Sequence, residues 1–214
     1  MRQGREILTL VPMTKRVFSL LVAFAALFAI SFGVPGCQNY DQLVAKNETC
    51  SAKWADYEVQ LQRRADLIPN IVNTVKGSAK YEQDTLTQVT KARAEATSVK
   101  LTGDDFSDES KVAAFQKAQS NLGSLGRLLV SNEKYPDLQA TKGFSDLRVE
   151  LEGTENRIAR SREQYNDAVR DYNTELGKIR GQAINKATGT PFKPRVYFSA
   201  NADAKEAPKV DFTK

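Results

Sequence analysis

The chain has 214 residues, of which 41% are hydrophobic and 27% are charged, so we predict one globular domain with or without appendages. It contains no histidine and only two cysteines. This composition excludes Ser-His-Asp and Cys-His catalytic groups as well as zinc sites built from histidine or four thiolates. Glycine-rich phosphate loops are also missing from the sequence. We therefore predict a non-enzymatic protein without a metal site or a cofactor.

The formal net charge of +5 does not indicate a nucleic-acid partner. Four basic residues and one acidic residue lie within residues 1–36, which account for more than half of this excess. In the remainder of the chain, acidic and basic residues are mixed along every predicted helix. Nucleic-acid binding needs a one-sided basic surface, so we predict no nucleic-acid partner.

The N-terminus is predicted to be a targeting segment, residues 1–36. Lys15 and Arg16 precede an apolar run over residues 17–30, and the sequence SFGVPGC follows. A basic region, an apolar region and a small-residue region in this order are typical of a secretory signal. Met13 is a reasonable translation start, in which case residues 1–12 are a start-site extension.

Cys37 is the predicted lipidation site. The sequence VPGC resembles a bacterial lipobox, in which the cysteine is lipidated and becomes the mature N-terminus, although Pro35 departs from the usual residue type. The uncharged run before Cys37 is also long enough, at about 20 residues, to span a bilayer. We favour a lipoprotein, with an uncleaved single-pass anchor second and ordinary secretion third. All three place the remaining chain outside the cytoplasm, and Gln38 mildly favours the outer membrane in a Gram-negative cell.

Four apolar stripes with helical spacing follow, and they predict an all-α body over residues 37–187. The stripes span Leu43–Leu61, Ile68–Ala96, Val112–Leu129 and Leu147–Ile179. Four such helices joined by short connections bury their stripes best as a four-helix bundle. The aromatic residues of the stripes are then expected in the core rather than in contact with a ligand: Trp54, Phe115, Tyr165 and Tyr172.

Cys50 lies on the first apolar stripe, 13 residues after Cys37. If a helix connects the two cysteines, its rise separates them by about 20 Å. A disulfide tolerates less than about 7 Å between Cα atoms. We therefore predict that they are unpaired and that Cys50 is a small buried residue.

The sequence QLQRRADLIPNIVNTVKG, residues 60–77, predicts a corner between the first two helices. Pro69 lacks a backbone donor and suits the first turn of a new helix, which Asp66 would cap. Arg63 and Arg64 would then end the preceding helix, where positive charge is favourable. In the alternative interpretation, these arginines beside a helix N-terminus form an anion or partner site.

The cluster Glu150, Glu152 and Glu155 has two interpretations. A carboxylate-based hydrolase of cell-wall polymers would need two carboxylates facing each other across a cleft. These three residues lie on one predicted helix, and Arg148 stands four residues before Glu152. Pairing along the helix surface is therefore the favoured interpretation.

Residues 188–214 differ from the rest of the chain, because they contain prolines and lack a helical stripe. We predict an extended C-terminal arm that forms a short strand or hairpin, runs along the bundle, or stays disordered. Its aromatic residues Tyr197, Phe198 and Phe212 are candidate partner contacts.

Four sequence segments in the same order resemble the LemA family. The resemblance covers residues 40–198, and it implies a four-helix bundle that is a mirror variant of antiparallel up-and-down order, behind an N-terminal membrane anchor. No catalytic residues can be transferred from this family. The segments are the run from Trp54 through QLQRRADLIPNIVNTVKGSAKYEQDTL (54–86), GRLLVSNEKYPDL (126–138), LEGTENRIARSREQYNDAVRDYN (151–173) and KPRVYF (193–198).

The resemblance implies a bacterial envelope protein of undefined molecular activity. We predict a membrane-tethered scaffold or adaptor in envelope maintenance, located on the extracytoplasmic side. LemA genes often accompany membrane metalloproteases, so the resemblance implies such a protease as a candidate partner. The alternatives are an anion- or lipid-headgroup-binding module at Arg63 and Arg64, and the carboxylate-based hydrolase.

Overall fold

The computed structural model describes the backbone of residues 13–78, 82–131, 135–139, 141–189 and 192–199. Side chains are described within these ranges from residue 39 onward, those of Pro136 and Gln139 excepted. All regular elements in this part of the chain are helical, which confirms the all-α prediction. They are α1 (Met13–Lys76), α2 (Gln83–Ser98), a 3-10 helix (Gly103–Ser107), α3 (Glu109–Leu129), α4 (Pro136–Gln139), α5 (Lys142–Gly177) and α6 (Ile179–Thr188).

Helices α1 and α5 form the longest contact of the fold and run in opposite directions. Trp54 of α1 lies beside Tyr165 of α5, and Arg64, further along α1, lies beside Glu155, which is earlier in α5. Helix α2 packs against both α1 and α3, while α6 packs against α1 and α5. This arrangement places each apolar stripe toward its neighbours.

The buried side chains form two clusters that follow one another along α1. The aromatic core is centred on Trp54, and its other large members are Tyr57, Phe106, Phe115, Tyr165, Tyr172 and Phe198. The aliphatic core lies further along α1 and includes Ile68, Ile71, Val75, Leu86, Leu122, Leu129 and Leu151. The four aromatic residues predicted in the core are buried, as is Cys50, so these predictions are confirmed.

The predicted corner at residues 60–77 is wrong, because α1 continues through Pro69 to Lys76. A proline inside a helix leaves the carbonyl four residues earlier without its usual N–H donor. That carbonyl belongs to Ala65, and Arg93 of α2 donates to it from Nε at 2.7 Å. A side chain from the neighbouring helix thus replaces the missing donor. Asp66 has no capping role and instead accepts from Gln62.

We expect Arg93→Ala to lower the free energy of unfolding by about 1–2 kcal/mol, because the Ala65 carbonyl then loses its donor. In a Pro69→Ala background the same change should cost less, since residue 69 regains an N–H that can reach Ala65. Chemical denaturation of the wild type, both single variants and the double variant gives this coupling. Strictly additive effects would contradict the proposed replacement of one donor by the other.

The fourth stripe is interrupted two residues before Ile179. Helix α5 ends at Gly177, Lys178 is extended with ψ 150°, and α6 begins at Ile179. The break shifts the register, so Ile179 is 87% exposed and its predicted core position is wrong. The chain then turns so closely that a Cβ on Gly181 would collide with the backbone carbonyls of Glu175 and Leu176. Glycine at this position therefore permits the close approach of α6 to the end of α5.

The predicted targeting segment, the start-site extension and the Cys37 side chain lie outside the residues whose side chains are described. Within the described part of the chain, no helix has both the length and the apolar content needed to cross a membrane.

Candidate functional site

Arg64 lies between the two cores and is only 3% exposed. Its Nη1 pairs with Glu155 Oε1 at 3.2 Å, and its Nη2 donates to the backbone carbonyl and to Oε1 of Gln119, at 3.0 and 2.6 Å. Gln119 in turn donates from Nε2 to the carbonyl of Ala96 at 2.9 Å. We call Arg64, Gln119 and Glu155 the polar layer. It connects α1, α3 and α5, and reaches the end of α2.

Gly123 provides the space that the Arg64 guanidinium occupies. A Cβ at this position of α3 would lie 2.8 Å from Arg64 Nη1. Any larger residue would displace the guanidinium from Glu155 or push α3 away from α1. Glycine at position 123 therefore leaves the room that the buried guanidinium of Arg64 needs.

The two arginines of the predicted anion site have different surroundings. Arg63 forms a half-exposed ion pair with Glu150 at 2.8 Å, whereas the Nη atoms of Arg64 bond within the polar layer. The helix N-terminus that the prediction required is contradicted by the continuous α1. Anion binding by Arg63 and Arg64 themselves stays a prediction.

The structure brings the predicted glutamate cluster and the two arginines together. Glu150 pairs with Arg63, and Glu155 pairs with Arg64 and, at 3.8 Å, with Arg127 of α3. The expected pairing along one helix surface is therefore wrong for Glu150 and Glu155, which pair between helices. Glu152 is exposed on α5. The carboxylate-based hydrolase stays the least favoured prediction.

A groove of about 330 Å³ opens beside the polar layer. Its charged lining consists of Arg64, Arg127 and Arg162 together with Glu155. Among the described side chains, Arg162 has no ion-pair partner, and the only carboxylate near Arg127 is Glu155. The groove therefore has an excess of positive charge, which is located at its outer edge.

A second candidate site is the groove along α5 and α6 that holds the arm, residues 192–199. Three asparagines each form two hydrogen bonds to one arm residue, accepting from its N–H and donating to its carbonyl. The distances lie between 2.8 and 2.9 Å. The pairs are Asn166 with Phe198, Asn173 with Arg195 and Asn185 with Phe192. We call these three asparagines the amide clamps and the surface they line the arm groove.

The spacing of the clamps matches that of an extended chain. Asn166 and Asn173 are seven residues apart, or about 10.5 Å along a helix. Phe198 and Arg195 are three residues apart, or about 9 Å in an extended polyproline-like chain. The arm runs antiparallel to α5, because Asn173 binds the earlier arm residue. Of the alternatives predicted for residues 188–214, the extended arm is confirmed for residues 192–199.

The side chains of Phe198 and Arg195 insert into the body of the protein. Phe198 is 3% exposed and stacks on Trp54 with ring centroids 5.7 Å apart. The guanidinium of Arg195 lies over the Phe106 ring at 5.0 Å and donates from Nη2 to Asn47 and Ser51. The arm thus completes the aromatic core. Of the predicted partner contacts, Phe198 is buried, Tyr197 is 46% exposed and Phe212 lies outside the described residues.

Two buried polar groups are poorly paired where Arg195 enters. Among the described residues, Nη1 of Arg195 and the hydroxyl of Tyr165 form no hydrogen bond with good geometry. Burial has the largest effect on the pKa of Tyr165 and raises it to about 12, whereas hydrogen bonding by Arg195 and its positive charge act in the opposite direction. Beside Arg195 lies a cavity of about 340 Å³, whose lining includes Asn47, Ser51 and Tyr172.

The raised pKa of Tyr165 predicts a loss of stability in alkaline solution. In the unfolded chain Tyr165 ionises near its ordinary value of 10.0, whereas in the folded protein it keeps its proton to about pH 12. Its contribution is thus complete below pH 10 and is lost as the pH rises toward 12, by up to about 3 kcal/mol. Tyr165→Phe should flatten this decline in urea unfolding free energies measured from pH 8 to 11.5. Tyr197→Phe, at an exposed position, should leave the decline unchanged.

Cys50 is a free buried thiol, and burial raises its pKa. This environment disfavours the reactive thiolate. Among the described residues, no group of three or more Asp, Glu or Cys side chains could hold a metal ion. We assign no chemistry to Cys50.

The polar layer and the amide clamps were only partly accessible to sequence reasoning. Arg64 and Glu155 are both candidate residues in the sequence, but 91 residues separate them and nothing in the sequence pairs them. Asn166 and Asn173 stand seven apart on the fourth stripe's helix, so they lie on one helix face. That repeat of a side-chain amide was the signal that could have located the arm groove.

The sequence profile of the LemA family matches residues 53–212 of this chain. The chain is also similar to Magnetosome protein MamQ 2 and Magnetosome protein MamQ 1 of Paramagnetospirillum magneticum, each 27% identical over 195 residues, 83% of this chain and 71% of the relative. Magnetosome protein MamQ of Magnetospirillum gryphiswaldense is 26% identical over 200 residues, with 84% and 71% covered. The profile match includes both the polar layer and the arm groove.

Proposed function

The chain belongs to the LemA family, and from this premise we propose that it is a non-enzymatic, membrane-tethered adaptor of the bacterial cell envelope. The observation that supports this proposal is the pairing of Arg63 with Glu150 and of Arg64 with Glu155. The charged residues that first suggested chemistry hold helices together instead. Its relatives are named for a cellular structure, the magnetosome, rather than for a reaction.

We further propose that the helical body is the four-helix bundle that the LemA resemblance implies, with a membrane anchor before it. Lipidation of Cys37 is the favoured means of attachment, and an uncleaved apolar helix is the second. In both cases the body faces the extracytoplasmic side. The partner is an envelope protein, for which a membrane metalloprotease is a candidate by family resemblance.

The attachment is tested by cell fractionation and by the intact mass of the mature protein. We expect the wild type in the membrane fraction, with a mass that shows a lipid on an N-terminal Cys37. Cys37→Ala should then prevent processing and leave the signal attached. An unmodified chain that still carries the apolar segment would indicate the uncleaved anchor. Recovery of the wild type from the cytosol would contradict the envelope location.

The adaptor role is tested by crosslinking in cells with a photoreactive residue at exposed position 197, followed by identification of the captured protein. A control residue at Glu152, exposed on α5 away from the arm, should capture a different set. Reproducible capture of one envelope protein from position 197 is the expected result. Measurable turnover of wall polymers by the purified chain, lost in Glu155→Gln, would instead support the hydrolase.

A second candidate function is binding of anionic headgroups, favoured by the groove beside the polar layer. Its cations outside the polar layer are Arg127, which is exposed, and Arg162, which is half-buried, and Glu155 is the only carboxylate among its described lining residues. If this groove binds anions, Arg127→Ala with Arg162→Ala should weaken binding to vesicles of anionic lipid severalfold. Arg160→Ala with Arg170→Ala, at exposed sites outside the groove, is the matched control for net charge.

A further inference from the structure

We propose that the arm groove is a peptide-binding site for a partner protein that carries an extended Phe-x-x-Arg-x-x-Phe segment, and that residues 192–198 of the chain occupy it as an intramolecular ligand. The biological meaning of this inference rests on the proposed adaptor role. The binding itself is a property of the purified chain and is tested separately from membrane attachment.

The amide clamps recognise a backbone rather than a side chain. Each asparagine offers one acceptor and one donor, which pair with the N–H and the carbonyl of a single residue. An edge strand offers the same pair of groups to a peptide that joins a sheet. Here the two groups belong to side chains on helices, so an extended segment is held without a β-sheet. The clamps accept any residue except proline, since its nitrogen has no hydrogen.

Side-chain pockets supply the sequence preference. The three clamped residues face the body: Phe198 enters the aromatic core, Arg195 lies over Phe106, and Phe192 contacts Tyr40 with ring centroids 5.8 Å apart. Between them, Lys193, Pro194 and Tyr197 are exposed, and Val196 is partly buried against the aromatic core. The groove therefore selects mainly at the three clamped positions, and the pattern is Phe-x-x-Arg-x-x-Phe.

The arm is an imperfect ligand for this groove. Among the described residues, Arg195 Nη1 and the Tyr165 hydroxyl are buried without a hydrogen bond of good geometry, and a cavity of about 340 Å³ lies beside Arg195. In the described part of the arm, a single backbone hydrogen bond, from Val196 to the carbonyl of Phe106, joins it directly to the backbone of the body. A foreign segment improves on these contacts if it supplies an acceptor for the buried Nη1 of the arginine, or a hydrogen-bond partner for the Tyr165 hydroxyl.

This imperfection favours a partner protein over a second copy of the chain. The arm of a second copy would place the same arginine beside Tyr165 and would lose translational freedom on binding. The tethered arm also has an effective concentration on the order of millimolar. Only a better-fitting segment, or a weakened arm, allows binding from solution.

The test measures binding of a labelled peptide, TGTPFKPRVYFSA (residues 188–200), to the full-length chain by fluorescence anisotropy. We expect Arg195→Ala in the chain to loosen its own arm and to bind the peptide at least tenfold more tightly than the wild type does. Adding Asn173→Ala should reduce that binding at least tenfold, because one clamp is lost. A peptide with Tyr197→Ala should bind as well as the original, whereas one with Phe198→Ala should not.

The folded state of Arg195→Ala is checked by circular dichroism. No saturable binding by the folded variant up to about 1 mM peptide would overturn the proposal, because that is the order of the arm's own effective concentration. Equal binding of the Phe198→Ala peptide would do the same. A wild-type dimer with exchanged arms, detected by size and by crosslinking of arm to groove, would overturn the assignment to a partner protein.

A second measurement covers the case in which Arg195→Ala fails to fold. A protease site introduced after Gly189 of the otherwise unchanged chain allows the arm to be cut after folding. Release of the arm on dilution with the helical signal retained, followed by saturable rebinding, would support a separable ligand. Loss of helical structure together with the arm would overturn the proposal, and neither result depends on membrane attachment.

Discussion

Replacing Arg64 with methionine is expected to lower the free energy of unfolding by about 3–5 kcal/mol, since it removes one member of a buried ion pair. Methionine fills much of the same volume, so the loss arises mainly from polar groups left without partners. Glu155 keeps only the distant Arg127, and Gln119 loses the donor to its Oε1 and backbone carbonyl. Urea denaturation followed by circular dichroism measures the effect.

The adjacent residue provides a matched control. Arg63 has the same side chain and also pairs with a glutamate, but the Arg63 and Glu150 side chains are 50% and 41% exposed. Exposed pairs contribute about 0–1 kcal/mol, so Arg63→Met should change stability by less than about 1 kcal/mol. Equal losses at the two positions would contradict the structural role assigned to the polar layer.

Removing the whole polar layer should be less harmful than removing its cation alone. Replacement of a buried charged network by apolar residues of similar size is often neutral or stabilising. We therefore expect Arg64→Met combined with Gln119→Leu and Glu155→Met to recover most of the stability that Arg64→Met loses. The polar layer would then fix the register between α1, α3 and α5 rather than add stability.

Helical periodicity correctly predicted the helices whose apolar stripe packs against another helix. The third stripe corresponds to α3, and five of its six predicted positions are buried, because a 3.6-residue period records which side is covered. The fourth stripe failed at Ile179, since the break at Lys178 has no sequence marker other than the preceding Gly177. Local patterns thus predicted the buried faces better than the helix ends.

Long-range contacts explain the two larger failures. Local sequence rules make Pro69 unfavourable inside a helix. In the fold, Arg93 of α2 donates to the Ala65 carbonyl, which Pro69 leaves without its usual donor. The charged residues on α1 and α5 form two separate groups in the sequence, although they pair across 87 and 91 residues. Both facts depend on the packing of two helices, which a single-sequence pattern does not contain.

Phe198→Ala is the second change with a large expected effect, a loss of about 3 kcal/mol, which is the lower end of the range for phenylalanine in a core. The ring is 3% exposed and lies within 6.0 Å, between centroids, of Trp54, Tyr57, Phe115 and Tyr165. Tyr197→Ala, one residue earlier and 46% exposed, should change the unfolding free energy by less than about 0.5 kcal/mol. Similar effects of the two substitutions would contradict the observed burial.

The size of the Phe198→Ala loss has an upper limit if the arm is a separable ligand. Once the arm has left its groove, no further change in the arm can cost stability, so the loss cannot exceed the free energy of docking. Arg195→Ala added to Phe198→Ala should then lower stability by less than about 0.5 kcal/mol more, although Arg195→Ala alone should cost about 1–3 kcal/mol. Additive losses, measured by urea denaturation of the single and double variants, would instead show that the arm is an inseparable part of the aromatic core.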